Sequence, residues 1–307
     1  MWSADIAVDA GLAAETIASQ FPQFSGCALE PFGLGWDNAA FLVDGRVVFR
    51  FPRRRVAVRL IERECALLPF IAPYVPLAIS APAFVGTPCA AFPWPFAGYE
   101  RLAGETASTV TLNATLRHGL ARPLGRFLRA LHGIDPAPFV GRGLPPDEIG
   151  RLDHTKRLRF TRERIASLAG VGVPDGDAFL EWLERHPPPA LADARRTIVH
   201  GDLYARHVLL DDNGAPSGII DWGDIHRGDP ALDIAIAPLM LPATAYGAFR
   251  EAYGPIDART WSAATYRAIA HAVVEIDYGV RENDAGMRRI GVDALQLLRE
   301  TLLADSS

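Results

Sequence analysis

The sequence predicts an α+β protein built as two lobes, strand-rich over its first third and mainly helical beyond. Three observations carry that prediction. At 307 residues the chain is long enough for about two cores of ordinary domain size. Residues 29–55, LEPFGLGWDNAAFLVDGRVVFRFPRRR, set apolar runs between turn signals, as strands do. Residues 115–135 instead space Leu116, Leu120, Leu124, Phe127, Leu128 and Leu131 along one face of a helix. Between them FPWPFAGYERLAGET, rich in Pro and Gly, reads as a linker. The expected division is an N-terminal lobe over 1–98, a hinge over 99–103 and a C-terminal lobe over 104–307.

The elements follow in order. An amphipathic helix is expected near AAETIASQF. Asp44-Gly45 between two apolar runs is a hairpin signal, and Pro52 ends the second strand because it has no N–H to give a ladder. A helix is predicted over 56–70. DPAPFVGRGLPP and HPPPAL read as loops, and the last third is helical apart from one hairpin. That hairpin is HVLLDDNGAPSGIIDW, two apolar runs around a cluster of Asp, Asn, Gly and Pro.

Composition narrows the function. An apolar fraction of 49% with 22% charged residues is that of an ordinary globular chain, so neither disorder nor a collagen-like or coiled-coil fibre is favoured. A net charge of −5 gives no electrostatic footprint for nucleic acid. The charge is unevenly placed: seven arginines face two glutamates between Arg46 and Glu64, and ten acids face five arginines between Asp221 and Asp284. The first stretch suits phosphate and the second a cation. Cys27, Cys65 and Cys89 form no C-x-x-C pair, so neither a zinc knuckle nor a disulfide framework is indicated, and a cytoplasmic location is expected. No secretory leader is evident. The longest apolar stretch, IAIAPLMLPATAYGAF, contains two prolines and falls short of the roughly 20 residues a span needs, so no membrane insertion is expected.

The chemistry concentrates in HGDLYARHVLL, residues 200–210, and IIDWGDIHRGDPALD, residues 219–233. His207 and Asp221 lie seven residues either side of Gly214, so an antiparallel ribbon centred there brings them together. Asp202 stands on the loop feeding the first strand. A cation held by Asp221 and His207, with Asp202 left to orient a hydroxyl, is the arrangement phosphoryl transfer requires. His200 and Asp233 read as supports, one packed behind an apolar strand and the other bracing a loop or capping a helix.

These motifs, H-G-D-x-x-x-x-[NH], I-D-W and G-D-P-x-x-D, resemble those of the aminoglycoside phosphotransferase family, small-molecule kinases with a protein-kinase-like fold. The resemblance is strong over 199–236 and weaker over GLGWDNAAFLVDGRVVFRFPR. It implies Asp202 as catalytic base, His207 and Asp221 as metal-ligand positions, Mg²⁺ as the metal, and ATP or GTP as donor. Histidine at 207, where the family more often has Asn, looks more like the macrolide phosphotransferase branch. Imidazole is a softer ligand than Mg²⁺ usually takes, which favours contact through water.

Such a kinase also needs a cation on the phosphates and a carboxylate to hold it. The chain's single lysine, Lys156, lies far from the strands of the first third, so Arg50 fills the place by position on the strand after the DG turn. Glu64 is its expected partner: its helical neighbours Leu60, Ile61, Leu67 and Leu68 are apolar, and a glutamate in such a stripe needs a cation. Gly33 and Gly35 permit close backbone approach to a nucleotide, and Tyr99, Glu100, Arg101 and Leu102 are the expected hinge contacts of its base. The acids Asp224, Glu275, Asp277, Glu282 and Asp284 suggest a small cationic substrate such as a macrolide or an aminoglycoside. A metabolic kinase of an amino alcohol or sugar and a catalytically silent nucleotide binder are the alternatives. A metallophosphoesterase is disfavoured by the lack of a GNH motif and of further His-rich motifs.

Overall fold

The computed structural model describes residues 4–35, 37–188 and 196–303; residues 189–191 of the expected HPPPAL loop lie outside these. After α1 (Ala10–Gln20), capped by the Asp9 carboxylate on the Leu12 N–H at 2.8 Å, come β1 (Leu29–Leu34), β2 (Asn38–Val43) and β3 (Val47–Pro52). The β2–β3 turn is the expected one. Asp44 and Gly45 both have positive φ, 51° and 66°, and Arg46 N–H donates to the Val43 carbonyl at 3.0 Å. β4 (Ala78–Ile79), β5 (Pro82–Gly86) and β6 (Phe96–Glu100) follow α2 (Arg55–Ile71). Five strands make one antiparallel sheet in the order β1-β2-β3-β6-β5, with β3 in the middle. Its inner face is built of phenylalanines, with Phe51 stacked on Phe96 at 4.6 Å between centroids.

Beyond β7 (Glu105–Thr106) the chain is mainly helical. It continues as α3 (Ala114–Gly133), α4 (Ala137–Val140), α5 (His154–Ser167), α6 (Gly176–Arg185), α7 (Ala231–Ile234), α8 (Ile236–Met240), α9 (Tyr246–Tyr253), α10 (Ala258–Arg281) and α11 (Ala285–Leu302). The short α4 sits inside the segment expected to be loop, started by Asp135, whose carboxylate accepts the Ala137 N–H at 3.0 Å. Four short strands interrupt the helices: β8 (Thr197–Val199), β9 (Val208–Leu210), β10 (Pro216–Ile219) and β11 (His226–Gly228). β9 and β10 form the expected acidic hairpin, which β4 extends in parallel on one side and β7 on the other. β8 pairs with β11.

Two cores result, and α2 ties them. Ile61 packs with Ala97 and Tyr99 of the five-stranded sheet, while Leu67, Leu68 and Ile71 join the large helical core. Each such fully buried side chain contributes about 1.5–3 kcal/mol. The pairing of β4 with β10 crosses the expected lobe boundary, so the hairpin that carries Asp221 is tied to the first lobe through backbone as well as side chains.

Candidate active site

The loop after β8 is held by one buried carboxylate. Asp233, at the start of α7, accepts the Gly201 N–H at 2.9 Å and the His200 N–H at 2.7 Å, and meets His132 Nε2 at 3.1 Å. Burial alone would raise its pKa, but the hydrogen bonds and His132 hold it below the ordinary value. His200 is wholly buried. Its Nε2 donates to the Ile220 carbonyl at 3.0 Å, which leaves Nδ1 to accept the Asp202 N–H at 3.3 Å. Both residues are supports that align the 200–202 loop with the end of β10. Gly201 has φ +86°, and a Cβ there would lie 2.6 Å from the Asp224 carbonyl oxygen, so only glycine fits. Asp233→Ala is expected to destabilise the protein by about 3–5 kcal/mol, because it leaves two buried N–H groups and His132 without their acceptor. Chemical denaturation checks this.

His207 and Asp221 meet as the hairpin requires. A bulge between Pro216 and Gly218 shifts the register so that Ile220 N–H donates to the His207 carbonyl at 3.0 Å, and the side chains come together with Nε2 3.3 Å from Oδ2. Asp221 itself has φ +63°, a left-handed conformation uncommon for a residue with a side chain. His207 Nδ1 donates to the Asp202 carbonyl at 2.8 Å, so in the neutral ring Nε2 presents a lone pair to a carboxylate oxygen. Two acceptors at that separation need a proton or a cation between them. Burial would lower the His207 pKa, but Asp221 raises it above the usual imidazole value; burial would raise that of Asp221, but His207 and Arg50 hold it far below the carboxylate range.

Of the two donors only the Asp221 carboxylate suits a hard cation directly, and the His207 imidazole suits contact through water. Among the described residues no group of three or more His, Cys, Asp or Glu side chains gathers to hold a metal unaided. A Mg²⁺ at Asp221 and His207 would take its remaining oxygens from water and nucleotide phosphates.

Arg50 reaches this pair from β3. Its Nη1 donates to both oxygens of Glu64, at 3.1 and 3.2 Å, and its Nη2 lies 3.4 Å from Asp221 Oδ1. Glu64 is wholly buried on α2 and also accepts the Tyr99 hydroxyl. The Arg50 guanidinium lies 5.6 Å from the centre of the Tyr99 ring. Burial would lower the Arg50 pKa, but Glu64, Tyr99 and Asp221 raise it; burial raises that of Glu64 in spite of Arg50.

The other expected residues lie around this pair on β6, on β1 and in the segments that follow them. Tyr99 turns its side chain inward to Glu64, and Glu100 pairs with Val47 at the end of β6. Arg101 N–H donates to the Arg46 carbonyl at 2.7 Å, with its guanidinium 5.6 Å from the centre of the Phe32 ring. Leu102 packs toward Gly218. Gly33 lies at a bulge of β1 and Gly35 in the turn after it, where Arg53 donates to its carbonyl at 3.0 Å. A Cβ at Gly33 would meet nothing within 4 Å, and one at Gly35 only the Asn38 carbonyl oxygen at 3.6 Å. Nothing among the described residues requires either glycine to be small.

Asp202 carries the feature that sequence reasoning missed. Its Oδ1 lies 3.4 Å from Arg267 Nη2 on α10, and its pKa is raised by burial and by Asp224 despite His207 and Arg267. Arg267, His271 and Glu275 recur every fourth residue on one stripe of α10, the only available sequence signal for them. The acids expected to meet an amine are largely engaged. Asp224 pairs with Arg151, Asp277 with Arg281 at 2.7 Å and Arg164 at 3.5 Å, and Asp284 caps α11 through the Met287 N–H at 3.0 Å. Glu275 is buried under the site with Oε2 unpartnered among the described residues, and only Glu282 remains exposed.

Burial and the field of Asp202 push the Glu275 carboxyl well above its ordinary pKa. An acid whose folded pKa exceeds its unfolded value stabilises the fold fully below the unfolded pKa, and that contribution is lost as pH rises toward the folded one. Glu275→Gln is therefore expected to raise Tm by about 2 °C or more near pH 7.5 and to leave it unchanged near pH 4. Thermal melts at the two pH values check this.

With this geometry in view, the comparisons with known proteins are direct. The model described as "Phosphotransferase enzyme family" (APH) matches residues 28–269, and the chain belongs to that family. Solved structures share its kinase-like fold. The GDP complex of wild-type aminoglycoside 2'-phosphotransferase-IIIa is 22% identical with a TM-score of 0.68, the match covering 95% of this chain and 98% of that one. Macrolide 2'-phosphotransferase MphH from Brachybacterium faecium is 19% identical with a TM-score of 0.58, covering 93% and 97%. The Bacillus subtilis (strain 168) protein YcbJ, described as uncharacterized, is 24% identical over 141 residues. That match covers 46% of this chain and spans 44% of YcbJ, less than half its length. The family's domain occupies most of the chain, and none of its described helices is long and apolar enough to cross a membrane.

Proposed function

We propose that this phosphotransferase is a kinase that transfers the terminal phosphate of ATP or GTP to an alcohol hydroxyl of a small molecule. The observation that carries the reading is the convergence of Arg50, Asp221 and His207 from two lobes, beside an Asp202 aligned by its own buried supports. In this reading residues 99–103 are the hinge between lobes 1–98 and 104–307. The main chain of Tyr99, Glu100, Arg101 and Leu102 borders the nucleotide base, and Gly33 and Gly35 leave room for its phosphates. Asp221 and His207 would hold Mg²⁺, which would supply neutralisation of phosphate charge. Arg50, fixed by Glu64 and Tyr99, orients the terminal phosphates through a planar fork. Asp202 orients the acceptor hydroxyl and takes its proton late in an in-line transfer, a role its raised pKa suits.

Three free cysteines fit the reducing cytoplasm as its place of action. Aminoglycosides and macrolides, the substrates named for the solved relatives, are the first acceptors to test, alongside amino alcohols and sugars. The test is release of nucleoside diphosphate. Release should require Mg²⁺, rise when an accepted alcohol is added, and fall at least about 10²-fold in Asp221→Asn. Release that ignores both metal and alcohol would contradict the reading.

A further inference from the structure

One aromatic ring of the five-stranded sheet lies outside its core. Phe41, Phe49, Phe51, Phe84 and Phe96 pack together on the inner face, whereas Phe32 on β1 is half-exposed. It falls where β1 bulges between Pro31 and Gly33, just before the glycine turn. The Arg101 guanidinium lies over it, 5.6 Å from its centre, close enough for a cation–π contact. Arg101 is exposed and has no carboxylate partner among the described residues, and Phe32 meets no other aromatic ring among them.

The two meet on the face that carries Arg50. Side chains of directly paired residues share a face of a sheet, and the pairs Leu42–Val48, Ala40–Arg50, Arg50–Ala97 and Val48–Tyr99 set one face apart from the phenylalanines. On this face Arg50 and Tyr99 meet Glu64. Leu42 is buried and Val48 half-buried, yet neither belongs to the phenylalanine core. β2 and β3 lie between β1 and β6, so a contact from Phe32 to Arg101 spans both strands. The inner face is closed to it by Phe41, Val43, Val47 and Phe49, which leaves the Arg50 face. Arg101 is bonded to Arg46, four residues before Arg50 and thus about 13 Å from it along the strand direction. A floor of Leu42 and Val48 therefore runs from the phosphate-orienting Arg50 toward an aromatic ring and a planar cation.

We propose that the base of the donor nucleotide enters between Phe32 and Arg101, stacked on the ring and covered by the guanidinium, while its phosphates reach Arg50. The inference rests on the kinase reading and adds two side chains to a base contact otherwise made by main chain. Bases stack on aromatic rings and on guanidinium planes alike. In the free protein the ring and the guanidinium cover one another, and the base takes over the contact that each gives up. Such a clamp grips faces, which every base has, so adenine and guanine nucleotides both use it.

The test is calorimetric titration of the whole protein, in Mg²⁺, with ADP, with GDP and with tripolyphosphate, which has phosphates but no base. Phe32→Ala should weaken ADP and GDP about tenfold or more and Arg101→Gln about fivefold, with tripolyphosphate left within about twofold in both. Phe32→Tyr, which keeps an aromatic face, should restore nucleotide affinity. Both side chains are exposed, so the nucleotide-free variants should melt at the temperature of the unmodified protein. Unchanged nucleotide affinity in Phe32→Ala would overturn the proposal, because the ring would then touch no base. An equal loss for tripolyphosphate would also overturn it, because the ring would then only shape the edge of the sheet. Binding of neither nucleotide nor tripolyphosphate to the unmodified protein would undo the kinase reading and this inference with it.

Discussion

Asp202→Asn is expected to lower phosphoryl transfer by about 10²–10⁴-fold while nucleotide binding stays within about twofold of the unmodified protein. The amide keeps the shape of the side chain and leaves untouched the main-chain contacts that set the loop, the Asp202 N–H to His200 and the Asp202 carbonyl to His207. It removes the proton acceptor. It also removes a buried negative charge that the fold disfavours in spite of Arg267, so turnover is lost with no fall in stability at neutral pH. Single-turnover kinetics with matched nucleotide titrations separate the two effects. Equal loss of nucleotide affinity and turnover would mean that Asp202 serves the fold of the loop and not the chemistry.

Arg50→Ala is expected to act on stability and turnover together. Glu64, wholly buried, would keep only the Tyr99 hydroxyl and would have to take up a proton or remain an uncompensated charge, a change of about 3 kcal/mol. Transfer should fall about 10²-fold or more, as when one preorganised donor is removed from a developing charge. Arg50→Lys separates the contributions. An ammonium restores the charge but cannot meet both Glu64 oxygens and Asp221 as the guanidinium does. It should recover most of the stability and only part of the rate. Turnover in Arg50→Ala equal to that of the unmodified protein would mean that another cation orients the phosphates.

What could be read from the residues was local or periodic. The Arg50–Glu64 pairing followed from strand alternation on one side and an interrupted apolar stripe on a helix on the other. The approach of His207 to Asp221 followed from the symmetry of a hairpin, within the one-residue shift that a bulge introduces. The supporting parts of His200 and Asp233 were legible because a polar group behind an apolar strand must be hydrogen-bonded. Tyr99 was harder. In β6 four successive residues are buried, so period-two alternation carries no information about which way a side chain points. Its hydroxyl meets a glutamate 35 residues earlier in the chain.

The acceptor side was illegible for a different reason. Arg267 comes to Asp202 from 65 residues away, and Asp224 pairs with an arginine 73 residues before it. Counting acids in the last third registered their charge but not the partners that α5 and the preceding loop bring to them. Net charge of a segment describes a surface only when its counter-ions lie in the same segment, and Asp224 has its partner, Arg151, outside it.

The most direct measurement of the central claim is product mass spectrometry after incubating the protein with Mg²⁺, ATP or GTP, and a panel of alcohols bearing carboxylate, phosphate, amine or no charged group. The Asp202→Asn protein serves as control. The expected result is an alcohol that gains one phosphoryl group with the unmodified protein and remains unchanged with the variant. The same product formed equally by both proteins would contradict the assignment of this site as the seat of phosphoryl transfer.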